Sequence, residues 1–384
     1  MDVKQIYALV NGATKAVTGK EDLVKEDLSN LVDVGQELFD TNAVDNYVRQ
    51  LTDRIGKVIF VNRPYAGGVP SVMKDAWEYG SVLQKIASTM PEATETDDWK
   101  LEDGKSYDPN VFHKPDVSQK FFNSKVTFEI DRSIATNQIK ESFASASEMN
   151  GLLSMLENEV SKSMTVKTDA LIMRTISNFI AATANDAATN TGSLRYVNLI
   201  QAYKAQTGKT ITADKCMTDL DFLKFAAFTI GLYQSRLTKI SKLFNIGGLD
   251  RFTPADKLHI VMLDVFAKAA DVYLQSDTYH NDLVKLPTAE TVPFWQASGT
   301  TFGFDKISSI DVVPAGATAE TRVSGILAVM FDDDALGVCN ENRRVTTNYN
   351  PKGDFYNNFY KFDNSYFNDM NENFVVFYVA DVTA

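Results

Sequence analysis

Residues 125–156 read KVTFEIDRSIATNQIKESFASASEMNGLLSML and carry two periodicities. Val126, Phe128 and Ile130 alternate with Thr127, Glu129 and Asp131, the period of a strand with one covered face. From Met149 the apolar residues Leu152, Leu153, Leu156, Val160 and Met164 fall at helical spacing, and the pattern resumes at Leu171, Ile176, Phe179 and Ile180. Ser145-Ala-Ser-Glu148 fits a capping box at the start of that helix. One helix over 147–183 would run about 55 Å at 1.5 Å per residue. A compact 384-residue chain has a radius of gyration of about 21 Å, hence a diameter of about 54 Å. A flat, elongated molecule accommodates such a helix better than a sphere does. Its weak point is SMTVKTD (163–169), where Thr165, Val166 and Thr168 lower helix propensity.

Upstream, residues 91–119 hold three prolines and many charges without periodicity. A segment of this length and polarity buries little of its own surface and is expected to be held in place by something else. Around residues 78–90, Val82, Gln84 and Ile86 share a strand face. With the strand at 125–131 they predict the two legs of a long β-hairpin arm whose tip is the polar stretch. Residues 1–56 read as helical, with Leu23, Val24, Leu28, Leu31, Val32 and Leu38 at spacings of mostly three and four and a second helix over 43–55. A short strand, KVIFV (57–61), and a turn-rich stretch around Gly67-Gly68 follow.

Downstream, ANDAATNTGS (184–193) marks a boundary. The stretch 218–244 predicts a helix ending at Asn245 or Gly247 by the glycine stop signal. KLHIVML (257–263) predicts a buried strand, followed by a helix through VFAKAADVYL. TVPFWQASG, ISSIDVVP, SGILAVMF and the closing VVFYVADV read as further strands. Residues 348–374 are dense in Asn, Tyr and Phe. Tyr349, Phe355, Tyr356, Phe359, Tyr360, Tyr366 and Phe367 lack interleaved cations for base stacking, so packing in the core or between subunits is expected of them.

Composition bounds the function. Hydrophobic residues make up 44% and charged residues 23% of the chain, and the net charge is −12. That balance argues against a protein that grips nucleic acid through its phosphates. Cys216 and Cys339 have no CxxC partner and are expected to be buried free thiols. No signal peptide and no membrane span are read. Gly208-Lys209-Thr210 lacks the glycine that a phosphate loop needs at position 203, which is Tyr203. Asp332-Asp333-Asp334 is expected to be a solvated turn that starts a helical turn. His113, His259 and His280 are scattered, with His259 read as a core histidine. No catalytic residue, metal ligand or cofactor site emerges.

The order of parts resembles the major capsid protein of tailed double-stranded DNA bacteriophages. VTFEIDRSIATNQI leading into SASEMNGLLSMLENEV carries the resemblance. SGILAVMFDDDALGV, NYNPKGDFYNNFYKF and NFVVFYVAD add to it as the family's late return to the peripheral sheet. The resemblance implies an α+β fold with an N-terminal helical arm (1–56), an extended β-hairpin loop with flanking strands (57–140) and the spine helix of a peripheral domain (141–190). An axial domain (191–335) and a return to the peripheral domain (336–384) complete it. It implies a structural protein and no enzyme. Copies would associate as pentamers and hexamers into an icosahedral capsid around double-stranded DNA, located in the virion and, before assembly, in the host cytoplasm. No cofactor is expected. Expected partners are the chain itself, a separate scaffolding protein without cleavage of this chain, a portal at one vertex, and DNA only by loose contact; no membrane is involved. Trp99, Phe112, Phe121 and Phe122 are the expected inter-subunit contacts. Lys100, Lys105 and Lys114 match no crosslinking pattern of relatives. An encapsulin-like compartment shell and a soluble α/β enzyme or binding module are the competing readings.

Overall fold

The computed structural model describes residues 3–19, 24–26, 29–40, 46–47, 50, 69–74, 83–91, 93, 95–96, 100–107, 110, 112–138, 146–276, 286–298, 309–314 and 317–381. Its helices are α1 (Val3–Thr18), α2 (Leu31–Asp40), α3 (Ala146–Thr189), α4 (Leu199–Thr207), α5 (Leu220–Leu237) and α6 (Asp264–Ser276). The first strands are β1 (Met73–Lys74), β2 (Leu83–Ser88), β3 (Val117–Phe122), β4 (Lys125–Ala135) and β5 (Tyr196–Asn198). Next come β6 (Leu258–Leu263), β7 (Glu290–Val292), β8 (Gln296–Ser298), β9 (Ser309–Val312) and β10 (Thr321–Ser324). The chain closes with β11 (Ile326–Asp332), β12 (Leu336–Asn350), β13 (Phe355–Asn368) and β14 (Phe374–Tyr378).

Helix α3 is the spine of the molecule. It runs 44 residues without a break, about 66 Å at 1.5 Å per residue, longer than the diameter of a compact sphere of this chain length. The SMTVKTD stretch does not interrupt it. Thr165 and Thr168 turn their hydroxyls onto the carbonyls of Ser161 and Met164 at 2.9 and 3.0 Å, and Thr175 and Thr183 repeat the bond further along. Each hydroxyl is thereby satisfied within the helix. The proposed capping serine, Ser145, the strand KVIFV and most of the second N-terminal helix lie outside the described residues.

Two sheets flank the spine. The four-stranded sheet has the order β1-β12-β13-β4 and the five-stranded sheet β5-β14-β11-β6-β7. Leu171, Ile176, Phe179 and Ile180 pack with Phe128, Val338 and Phe362 of the first sheet and with Val329, Phe331, Phe374 and Val376 of the second. The opposite face of the second sheet, with Ala328, Met330, Val375 and Phe377, packs on α4, α5 and α6. Both faces of β11 are therefore covered, and all of Ile326–Asp332 is buried. This is why ILAVMF reads as a continuous apolar run rather than an alternation.

Several expectations are corrected. β4 does not pair with the outgoing strand near residue 86; it pairs antiparallel with β13, Phe128 opposite Phe362. The strand that returns from the polar excursion is β3, which pairs with β2. Helix α5 ends at Leu237 rather than near Gly247; Ser241 and Arg251 then form an antiparallel bridge that folds the loop back. The Asn- and Tyr-rich tail is a long hairpin, β12–β13, with Tyr356, Tyr360 and Phe362 buried. β14 joins the five-stranded sheet, between β11 and β5, and not the sheet that holds this hairpin.

Asp332-Asp333-Asp334 is a turn with Asp334 exposed, as expected, but Asp332 is buried, Asp333 is partly covered, and no helix starts there. It is the crossing from one sheet to the other. Asp332 is buried and accepts from the Thr253 hydroxyl at 2.6 Å and the Asp334 amide at 2.9 Å. Asp333 pairs with Lys74 and lies 2.9 Å from His259 Nε2. Burial opposes its ionisation, but the Lys74 and His259 contacts outweigh that and hold its carboxyl below the usual range. His259 has its partner in Asp333, but it lies half-buried beside Phe331 and not in the core as expected.

Gly325, between β10 and β11, has φ +74°, and a Cβ there would stand 2.3 Å from the Val379 carbonyl oxygen. Gly325→Ala meets both a left-handed backbone and a fixed backbone atom. It is expected to lower stability by about 2 kcal/mol or more, read as a drop in the urea midpoint at unchanged slope.

Candidate assembly surface

The arm leaves the body through β2 and β3. Their register, Leu83 opposite Phe122 and Ser88 opposite Val117, sorts the side chains onto two faces. Leu83, Lys85, Ala87, Lys120 and Phe122 point one way and are partly covered. Ile86, Val117 and Phe121 point the other way and are exposed. Beyond them, Thr89 donates to the Asp116 carbonyl at 2.9 Å, and the chain enters the polar tip. Within the tip, Lys105 reaches Glu102 at 3.9 Å and lies 5.9 Å from the Tyr107 ring centre. Every described residue from 89 to 116 is exposed.

The covered face is anchored by an ion-pair root. Lys120 Nζ donates to Asp369 Oδ1 at 3.0 Å, and Lys85 Nζ stands 3.2 Å from Asp369 Oδ2 and 3.9 Å from Glu372 Oε1. The lysines sit directly opposite one another in the hairpin. Like charges so placed repel, unless a shared anion lies between them, as Asp369 does here. The Phe122 ring packs 5.4 Å from Phe367, with Lys85 5.3 Å from the Phe367 centroid. A cleft of about 490 Å³ remains between root and body, rimmed by Lys85, Lys120, Arg251, Asp334, Asp369 and Glu372.

The two carboxyls of the root titrate in opposite senses. Burial opposes ionisation of Asp369, but Lys85 and Lys120 outweigh it, and the group lies below its ordinary value of 3.8. Its contribution to stability is present above that value and lost as pH falls through the lower folded one. Burial pushes Glu372 up from 4.5, only partly offset by Arg251 and Lys85. Its contribution is present below pH 4.5 and lost as pH rises through the folded value. Glu372→Gln, which mimics the protonated acid, is therefore expected to raise the melting temperature by a few degrees at pH 7 and not at pH 4. Melting curves at the two pH values check this; a gain at pH 4 alone would reverse the sign.

The arm as a whole exposes large apolar side chains out of proportion to its length. Of nineteen exposed large hydrophobic residues among those described, seven lie between Ile86 and Phe121. Phe112 is 84% exposed and Phe121 59%. Of the four aromatic residues expected at subunit contacts, these two face outward. Phe122 turns onto Phe367 of its own chain, and Trp99 lies outside the described residues. Ile86 and Val117, which composition did not single out, share the face of Phe121. The pairing of β2 with β3 is what reveals them, since the period-2 signal at 82–86 leaves the choice of face open.

The larger cavity, about 750 Å³, lies beside the C-terminal end of α3. Tyr196 and Tyr378 stack there at 4.0 Å, and the charged residues lining it are Arg322 and Asp381. Burial pushes the Cys216 thiol up to about 11, so it stays protonated and is a poor nucleophile at neutral pH. Gly208 of the GKT stretch caps α4 in a left-handed conformation, and Lys209 pairs with Asp221 at 2.5 Å. Among the described residues no cluster of His, Cys, Asp or Glu could hold a metal ion, and no helix is long and apolar enough to cross a membrane.

The chain thus combines a spine helix between two sheets with a hairpin that leaves an apolar face exposed. The family model of the Phi29-like phage major capsid protein matches residues 6–378. The chain belongs to that family. It is a structural capsid protein, not an enzyme, and its place is the phage capsid. The fold agrees with a capsid chain of Staphylococcus phage Andhra, at 11% identity and a TM-score of 0.50, covering 83% of this chain and 86% of that one. A chain from the head-fibre and inner-core-protein structure of bacteriophage P68 aligns at 11% identity and a TM-score of 0.47, over 82% and 85% of the two chains. A capsid chain of cyanophage P-SCSP1u aligns at 9% identity and 0.45, over 83% and 90%. No curated protein matches this capsid protein in sequence.

Proposed function

We propose that this capsid protein assembles as pentamers and hexamers into a closed icosahedral shell around double-stranded DNA. The projecting arm carries the reading: a hairpin root held by Asp369 and an outward face of Ile86, Val117 and Phe121 that its own chain leaves uncovered. Exposed apolar area of this kind is stabilised when a partner removes it from water. A second copy lying over Phe112 and Phe121 does that, and Trp99 in the same tip is assigned to the same contact. Phe122 supports the contact from behind by fixing the root. Copies made in the host cytoplasm would assemble with a separate scaffolding protein and a portal at one vertex. The acidic balance suits a wall that contains DNA without gripping it. The division into an N-terminal arm (1–56), extended loop (57–140), spine (141–190), axial domain (191–335) and return (336–384) belongs to this proposal, with β14 counted in the sheet of β11.

Negative-stain electron microscopy with light scattering on the purified protein, with and without its scaffolding partner, tests the reading. Closed shells or rings of five and six are expected. A protein that stays monomeric at high concentration with that partner present would overturn it.

A further inference from the structure

A second exposed apolar cluster lies in the loop after α5. Ile240, Leu243 and Phe252 are each half or more exposed, and Ile246 lies close by. The Ser241–Arg251 bridge places Ile240 opposite Phe252, so the two share a face. Around them stand the exposed cations Arg236, Lys239 and Lys242. Residues 236–252 carry four basic side chains and a single acid in a chain whose net charge is −12; Lys242 lies 3.5 Å from that acid, Asp250, and Arg251 3.5 Å from Glu372, and the rest of the basic excess faces outward. The arm tip has the opposite character. Residues 89–116 carry eight carboxylates and three lysines, with Leu101, Tyr107 and Phe112 exposed. Phosphate binding calls for clustered cations and gains nothing from exposed Leu and Phe. Apolar centres with charged rims of opposite sign are what two protein surfaces need to recognise each other.

We propose that the 236–252 loop is the acceptor for the arm tip of a second copy of this chain. The proposal rests on the shell reading above and adds to it the surface on which the arm lands. Ile240 and Phe252 would meet the apolar residues of the tip, and Lys239 and Lys242 its carboxylates. The loop is held in place by its own body: Phe244 is buried, its carbonyl accepts from the Phe374 amide at 2.9 Å, and Arg195 donates to the Asn245 carbonyl at 3.0 Å. Its outward face can therefore be recharged without disturbing the core.

Charge exchange tests it. One variant carries Lys239→Glu with Lys242→Glu, a second Glu95→Lys with Asp103→Lys, and a third all four changes. Each pair alone is expected to reduce assembly at least tenfold, by light scattering at physiological salt, and the fourfold variant to regain most of it. A further mixture distinguishes contact between chains from contact within one. A chain with residues 90–115 replaced by Asn-Gly keeps its acceptor, and the Lys239/Lys242 variant keeps its tip. Each alone stays monomeric, and together they are expected to form one-to-one pairs in sedimentation. Circular dichroism confirms that every variant is folded. Normal shells from the Lys239/Lys242 variant, or no rescue in the fourfold one, overturn the acceptor and leave the shell reading standing. Failure of the unaltered chain to form shells with its scaffolding partner overturns the shell reading first.

Discussion

The chain in which residues 90–115 are replaced by Asn-Gly folds, melts within about 3 °C of the parent and does not assemble. The register supports the closure. Ser88 pairs with Val117, and Thr89 donates to the Asp116 carbonyl at 2.9 Å, so the next two positions form the hairpin end. Asn-Gly favours the type I′ turn that such a two-residue loop requires. The tip removed is exposed throughout its described residues, so it contributes little to the stability of the single chain. The root of the arm, with Lys85, Lys120 and Phe122 on Asp369 and Phe367, remains. Thermal melting and sedimentation on one sample check both halves of the result. Loss of a cooperative melt would show that the tip is core and that the arm does not project.

Phe179→Ala has the opposite profile: the chain loses stability before assembly is in question. Phe179 is fully buried, and its ring meets Phe374 edge-on at 4.8 Å. It sits where the spine helix clamps the five-stranded sheet, in the core that also holds Val329, Val376 and Val338. Truncating such a ring removes its transfer free energy and leaves a cavity that a long, straight helix cannot collapse to fill. The expected cost is about 3–5 kcal/mol, read from urea unfolding. Val166→Ala, on the half-exposed face of the same helix, is the control, with an effect within about 0.5 kcal/mol. Equal effects at the two positions would mean that the spine is not clamped where the core places it.

The differences between sequence and structure fall at long-range pairings. The alternation in 126–131 identifies a strand but not its partner; the pairing with β13 joins positions more than two hundred residues apart. The tail at 348–374 was unreadable as a strand because Asn disfavours sheets. Here Asn358 and Asn364 are buried within the ladder among Tyr356, Tyr360 and Phe362. Asp332-Asp333-Asp334 reads as a solvated turn because three adjacent carboxylates are rarely buried. Asp334 does stay exposed, and only the crossing between sheets brings Thr253 to Asp332 and Lys74 and His259 to Asp333. Asp369, which joins the arm to the body, carries no local signal at all, since its lysines arrive from residues 85 and 120.

What the sequence determined by itself is what local spacing can encode. The spine helix follows from side chains three and four apart, and its threonines are satisfied one turn back within the same helix. The covered strand 326–331 follows from an unbroken apolar run. The polar excursion follows from a composition that cannot bury itself. The tertiary structure decided which strand returns from that excursion, which face of the arm is left bare, and which carboxylate anchors it. A helix closes its hydrogen bonds within four residues, so its pattern is complete in one stretch of chain. A strand offers the same backbone donors and acceptors to any partner, and only the packing of the whole core selects one.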